Sequence, residues 1–181
     1  AATRLSFASA GTHGFREHPM DDVMATTLTT RGVAHEQFTS QRLTSQLIAD
    51  ADLVLTAEST HRQFILDDHP GDFRKVFTLG QFAESVRSLH TDLTGRQLLA
   101  AAGLRRGGAS ERLDITDPYR RGPEAAARTA ERVEELVAYR TAELRQDRAE
   151  FRDVGSLEAT AQRQRFVTAL VSLGAGIPIT G

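Results

Sequence analysis

Leu5 and Phe7 alternate with Ser6 and Ala8 over residues 4–9, which puts one apolar face on the segment. A two-residue period of this kind predicts a strand. Ala10, Gly11, Thr12, His13 and Gly14 end it with turn-forming residues. Pro19 and the acidic pair Asp21 and Asp22 suit the first turn of a helix, where carboxylates meet the positive end of the dipole. Val23, Met24 and Leu28 give that helix an apolar stripe, and Gly32 ends it. Thr44 is placed to cap a short helix carrying Leu47 and Ile48. The apolar run over residues 51–57 reads as a buried parallel strand. Ser59 follows as the cap of a helix over residues 60–67, and residues 75–79 supply a third short strand. The longest helix opens at Gly122, Pro123 and Glu124, with Ala126, Ala130, Val133, Val137 and Leu144 roughly on one face.

Strands alternating with helices predict an α/β three-layer sandwich with a parallel sheet. Three strands are few for such a sheet, because parallel strands buried on both faces need neighbours or a cover. The pattern therefore lacks a strand. Two segments fit the plan less well. Residues 85–113 form a long connection, with a helix expected around residues 96–102 and a break at Gly107 and Gly108. Residues 155–181 form a tail beyond a domain spanning residues 1–154. In that tail Phe166, Val167, Leu170 and Val171 are spaced for one apolar helical turn.

The length of 181 residues fits one domain with a real core. A net charge of −2 gives no electrostatic case for nucleic acid or for an anionic membrane surface. No apolar run is long enough to span a bilayer, and residues 1–4 carry no signal-peptide pattern. The chain enters an apolar segment almost at once, as if it started inside a domain. A cytoplasmic location is expected. There is no cysteine, which excludes disulfides and thiolate metal sites. The six histidines include no pair at metal-ligand spacing, so neither metal nor cofactor is expected. No pattern speaks to oligomeric state.

One segment carries chemistry. Asp117, Pro118 and Tyr119 place an acid on a proline-stiffened loop beside an aromatic ring, just before the long helix. Such an acid suits protonation of a leaving group. It also fits a plain turn, since Asp-Pro favours turn initiation. Asp114 is a nearby competitor that reads more simply as a surface acid.

Several segments, taken in order, resemble the low-molecular-weight protein tyrosine phosphatase family, in its actinobacterial form. Ser9, Ala10, Gly11 and Thr12 resemble that family's second strand and turn. His13, Gly14 and Phe15 look like the loop that follows it. Residues 38–44 and 51–58 are similar to the approach and third strand, and residues 75–82 to the fourth strand and its exit. Asp117-Pro118-Tyr119 resembles the general-acid loop. The resemblance covers roughly residues 4–150, apart from the connection at 85–113. It implies a four-stranded parallel sheet in the family order 2-1-3-4.

The family's first strand runs into a Cys-x5-Arg-Ser/Thr loop at the start of its first helix, and this sequence contains no such pattern. The expected gap is central, between the strands read at residues 4–9 and 53–56. A sheet with that gap is not expected to hold unless another segment fills it.

The resemblance implies a hydrolase of phosphotyrosine-type monoesters, acting on a phosphotyrosine protein or a small aryl phosphate. It gives Asp117 the role of general acid and makes Tyr119 a pocket wall. Arg120 stands where many members have a second aromatic, and it would favour an acidic substrate or face solvent. Phe15 fits either the pocket or the core. Ser9 fits either support of the phosphate loop or simple packing under a turn. Without the cysteine loop the chain itself is expected to be inactive. The alternative is a pseudophosphatase or interaction module. Arsenate reduction comes third, because that branch of the fold uses several cysteines.

Overall fold

The computed structural model describes residues 5–13, 16–89, 93, 95–150 and 164–168. The strands are β1 (Leu5–Ala8), β2 (Leu53–Thr56), β3 (Val76–Thr78) and β4 (Gln164–Thr168). The helices are α1 (Asp22–Thr30), α2 (Ser45–Asp50), α3 (Ser59–Asp68), α4 (Leu79–Arg87), α5 (Gly95–Leu104) and α6 (Pro123–Glu150). Among the described residues no helix is long and apolar enough to cross a membrane.

The sheet order is β1-β4-β2-β3, and every pairing is parallel. The position between β1 and β2, expected to be open, is held by β4. Its register sets Phe166 opposite Phe7 on one side and Leu53 on the other. The helical turn expected over Phe166, Val167, Leu170 and Val171 is therefore corrected to strand at Phe166 and Val167, while Leu170 and Val171 lie outside the described residues. A short apolar run fits either period, and an open pair of sheet edges decides for the strand.

The remaining strands alternate their faces. Val54 and Val76, both fully buried, pack with Ile48, Ala51 and Ile65 of the α2–α3 layer. Leu53 and Phe77 point to the opposite layer, against Val86 of α4 and Ala102 of α5. A third cluster joins Ala57, Leu79, Ala83, Ile115 and Leu136, tying α4 and α6 to the segment before the Asp-Pro-Tyr turn.

α1 is capped by Asp21, whose Oδ1 accepts from the Val23 and Met24 amides. Thr44 caps α2 through the Leu47 amide, as its position predicts. α4 was not expected. Its signal is Thr78 followed three residues on by Gln81, and the Thr78 hydroxyl accepts from the Gln81 amide at 3.1 Å.

β3 forms the edge of the sheet. Arg106 covers it: its guanidinium lies 4.5 Å from the ring centres of both Phe73 and Phe77, and it donates to the Phe73 and Val76 carbonyls. An edge strand satisfied in this way offers little to another chain.

Candidate functional site

Because all four strands run the same way, their C-terminal ends share one edge of the sheet, where ligands of open α/β sheets bind. Three segments meet near that edge. Ser9 and the turn at 10–13 leave β1, residues 57–59 leave β2, and residues 113–119 cross beside them.

The crossing segment is tied down at several points. The Ile115 amide donates to the Ala57 carbonyl at 2.9 Å, and Ile115 itself is buried. Asp114 accepts from the Ser59 amide at 2.9 Å and from the Ser59 hydroxyl at 2.7 Å. Ser59 is therefore not the N-cap of α3. That position is Glu58, whose side chain makes no cap, and the carboxylate of Asp114 satisfies the first turn from across the chain. The placement also suits the helix dipole. Gly80 lets the segment approach α4, since a Cβ there would collide with the Leu113 carbonyl.

Asp117 follows as a half-buried acid. Its Oδ1 accepts from the Tyr119 amide at 2.9 Å, an Asx turn, and Pro118 is buried beneath it. Oδ2 has no hydrogen bond among the described residues. The Arg120 guanidinium lies 5.1 Å from the centre of the Tyr119 ring. Arg120 takes φ 57°, an unusual left-handed conformation for a residue with a side chain, and Gly122 takes φ 82°. The turn thus holds Asp117, Tyr119 and Arg120 together.

His61 sits on the first turns of α3. Its Nδ1 is buried without a hydrogen bond, and Glu58 Oε2, at 3.9 Å, is too far to supply one. Burial pushes the imidazole below its usual value. Glu58, Asp117 and Asp114 push it back up, while His13 lowers it further. The turn after β1 reaches the same helix, with the His13 ring 5.0 Å from that of Phe64.

Ser9 lies directly beyond β1, where its carbonyl accepts from Gln41 Nε2 at 2.7 Å. Phe15 lies outside the described residues. The sequence pattern did not single out His61, which has no motif around it, or the clamp made by Asp114. Both depend on α3 and the segment at 113–119 meeting in space.

A family model described as low molecular weight phosphotyrosine protein phosphatase matches residues 2–95. A probable low molecular weight protein-tyrosine-phosphatase, EpsP of Ralstonia nicotianae, is 26% identical over 117 residues, covering 65% of this chain and 61% of that protein. Etp, a low molecular weight protein-tyrosine-phosphatase of Escherichia coli, is 33% identical over 76 residues, 42% of this chain and 51% of its own length. The chain thus spans between half and two thirds of these curated relatives.

Among solved structures, the YwlE arginine phosphatase of Geobacillus stearothermophilus superposes with a TM-score of 0.58 at 21% identity, covering 81% of this chain and 79% of that one. A low molecular weight protein tyrosine phosphatase from T. tengcongensis gives 0.55 at 21% identity, with 75% of each chain covered. These likenesses establish the fold.

Proposed function

Because the chain belongs to the low molecular weight phosphotyrosine protein phosphatase family, we propose that it forms the body of a phosphomonoester hydrolase for phosphotyrosine-type substrates, with Asp117 as the proton donor. The observation that carries this reading is the anchored turn at 117–120, held at the C-terminal edge of the sheet by Ile115 and Asp114. In the family reaction a thiolate from the Cys-x5-Arg-Ser/Thr loop, which these 181 residues do not contain, would take the phosphoryl group as the P–O bond breaks. Asp117 would protonate the departing phenolate and, as the carboxylate, then deprotonate the water that displaces the thiolate and releases phosphate. Tyr119 offers a ring face to the aryl group. Arg120, stacked over that ring, adds positive charge to the pocket rim. Ser9 and Phe15 complete the assignment, as loop support and pocket wall.

The 181 residues contain no cysteine, so they do not supply a thiolate for attack on phosphorus. A second reading, a binding module without catalysis, is favoured by one observation: β4 occupies the centre of the sheet.

The test is aryl phosphate hydrolysis by this chain and by a version preceded by an apolar strand and a Cys-x5-Arg-Ser/Thr loop. The chain itself stays at background. The extended version turns over, and Asp117→Ala slows it by about 10²–10⁴-fold. Unchanged turnover in Asp117→Ala removes that residue from the role. No turnover in the extended version, together with binding of an aryl phosphonate by the present chain, selects the binding module.

A further inference from the structure

Against the Asp-Pro-Tyr turn lies a groove of about 430 Å³. Arg121, Arg128 and Arg132 line it, with Ala125, Asp114 and Asp117. Arg121 is held between the two left-handed residues Arg120 and Gly122, and it has no ion pair among the described residues. Arg128 and Arg132 are four apart on α6, so they line one face about 6 Å apart along the axis. Their own partners are exposed glutamates, Glu124 at 3.7 Å and Glu135 at 3.1 Å. Such surface pairs are weak and exchange readily.

The two acids in the wall are partly spoken for. Both oxygens of Asp114 accept from Ser59, and Oδ1 of Asp117 accepts from the Tyr119 amide. α6 begins here with Pro123, and the first-turn amides of Glu124 and Ala125 have no intrahelical acceptor.

We propose that this groove docks an acidic segment of the phosphorylated protein substrate, so that carboxylates beside the target residue lie against Arg121, Arg128 and Arg132. The proposal deepens the reading of the Asp117 site and rests on it for the identity of the partner. Three guanidinium groups spread over a turn and two helical turns match several separate carboxylates better than one compact anion. A nucleic-acid backbone calls for a longer basic track than three guanidinium groups in a groove of about 430 Å³ provide.

The experiment measures fluorescence anisotropy of a labelled hexaglutamate peptide with the full chain, beside its glutamine counterpart and a single-stranded oligonucleotide. The glutamate peptide binds best, and its affinity falls as ionic strength rises. Each of Arg121→Gln, Arg128→Gln and Arg132→Gln weakens it roughly two- to fivefold, whereas Arg42→Gln, in a separate groove, leaves it unchanged. Amide chemical shifts in the unsubstituted protein move at residues 114–132, which locates the site even where a variant folds poorly. Equal binding of the glutamine peptide, tighter binding of the oligonucleotide, or shifts confined elsewhere overturns the proposal. The probe carries no phosphate, so its outcome stands apart from the aryl phosphate assay.

Discussion

Proline at Val167 tests whether the sheet closes on β4. Val167 is interior to the strand, with Ala8 opposite it in β1 and Val54 opposite it in β2. Proline there removes one ladder donor and leaves a carbonyl of a neighbouring strand without its partner. Val54 is fully buried, so water does not readily replace the lost bond on that side. An unpaired buried polar group costs about 1–3 kcal/mol. Proline in a helix interior, where the lost bond and the ring clash act together, costs about 3 kcal/mol. The expected loss is about 3 kcal/mol, a substantial part of the roughly 5–15 kcal/mol that holds a domain of ordinary stability. Urea unfolding followed by circular dichroism measures it through the midpoint and slope. Gly71→Ala is the control, since a Cβ at that position meets nothing within 4 Å. If Val167→Pro unfolds at the same urea concentration as the control, β4 does not belong to the sheet.

Other consequences can be checked alongside. Asp114→Asn removes the charge that accepts two hydrogen bonds from Ser59, and should cost about 1–3 kcal/mol in urea unfolding; an unchanged midpoint would show the clamp to be idle. Gly80→Ala forces a methyl group against the Leu113 carbonyl and should lower the melting temperature by an amount equivalent to about 1–3 kcal/mol. His61 is held below its usual value of 6.5 chiefly by burial, so the unfolded chain binds the extra proton first. Stability should therefore be intact above that pH and decline as pH falls through it towards the lower folded value. His61→Gln should flatten this part of the stability profile relative to the parent protein, and parallel profiles would refute the assignment.

Local pattern was enough for elements whose burial and period agree. The apolar run around Val54 is typical of a strand buried on both faces, and Thr44 announced α2 by its own capping hydroxyl. α4 was also written locally, in Thr78 and Gln81, although residues 75–82 read as a strand with its exit and residues 85–113 as a long connection. β4 is a different matter. Phe166, Val167, Leu170 and Val171 are spaced for a helix, and only the two unfilled sheet edges turn residues 164–168 into a strand. The site divides in the same way. Asp117, Pro118 and Tyr119 are neighbours in sequence and remain neighbours on the turn. Ser59 lies more than fifty residues from Asp114, and His61 as far from Asp114 and Asp117, so no reading of adjacent residues could join them.

The place of β4 also sets the order in which the chain can assemble. β2 and β3 are separated by a short excursion and can pair as soon as both have left the ribosome. β1 emerges first, yet its ladder partner among the described strands is made last. Until residues 164–168 emerge, its backbone must wait in water or with a chaperone, because contacts so distant in sequence form slowly. Closure of the β-structure thus waits for residues 164–168, and nascent chains halted before residue 164 should bind chaperones more strongly than chains carried well past it.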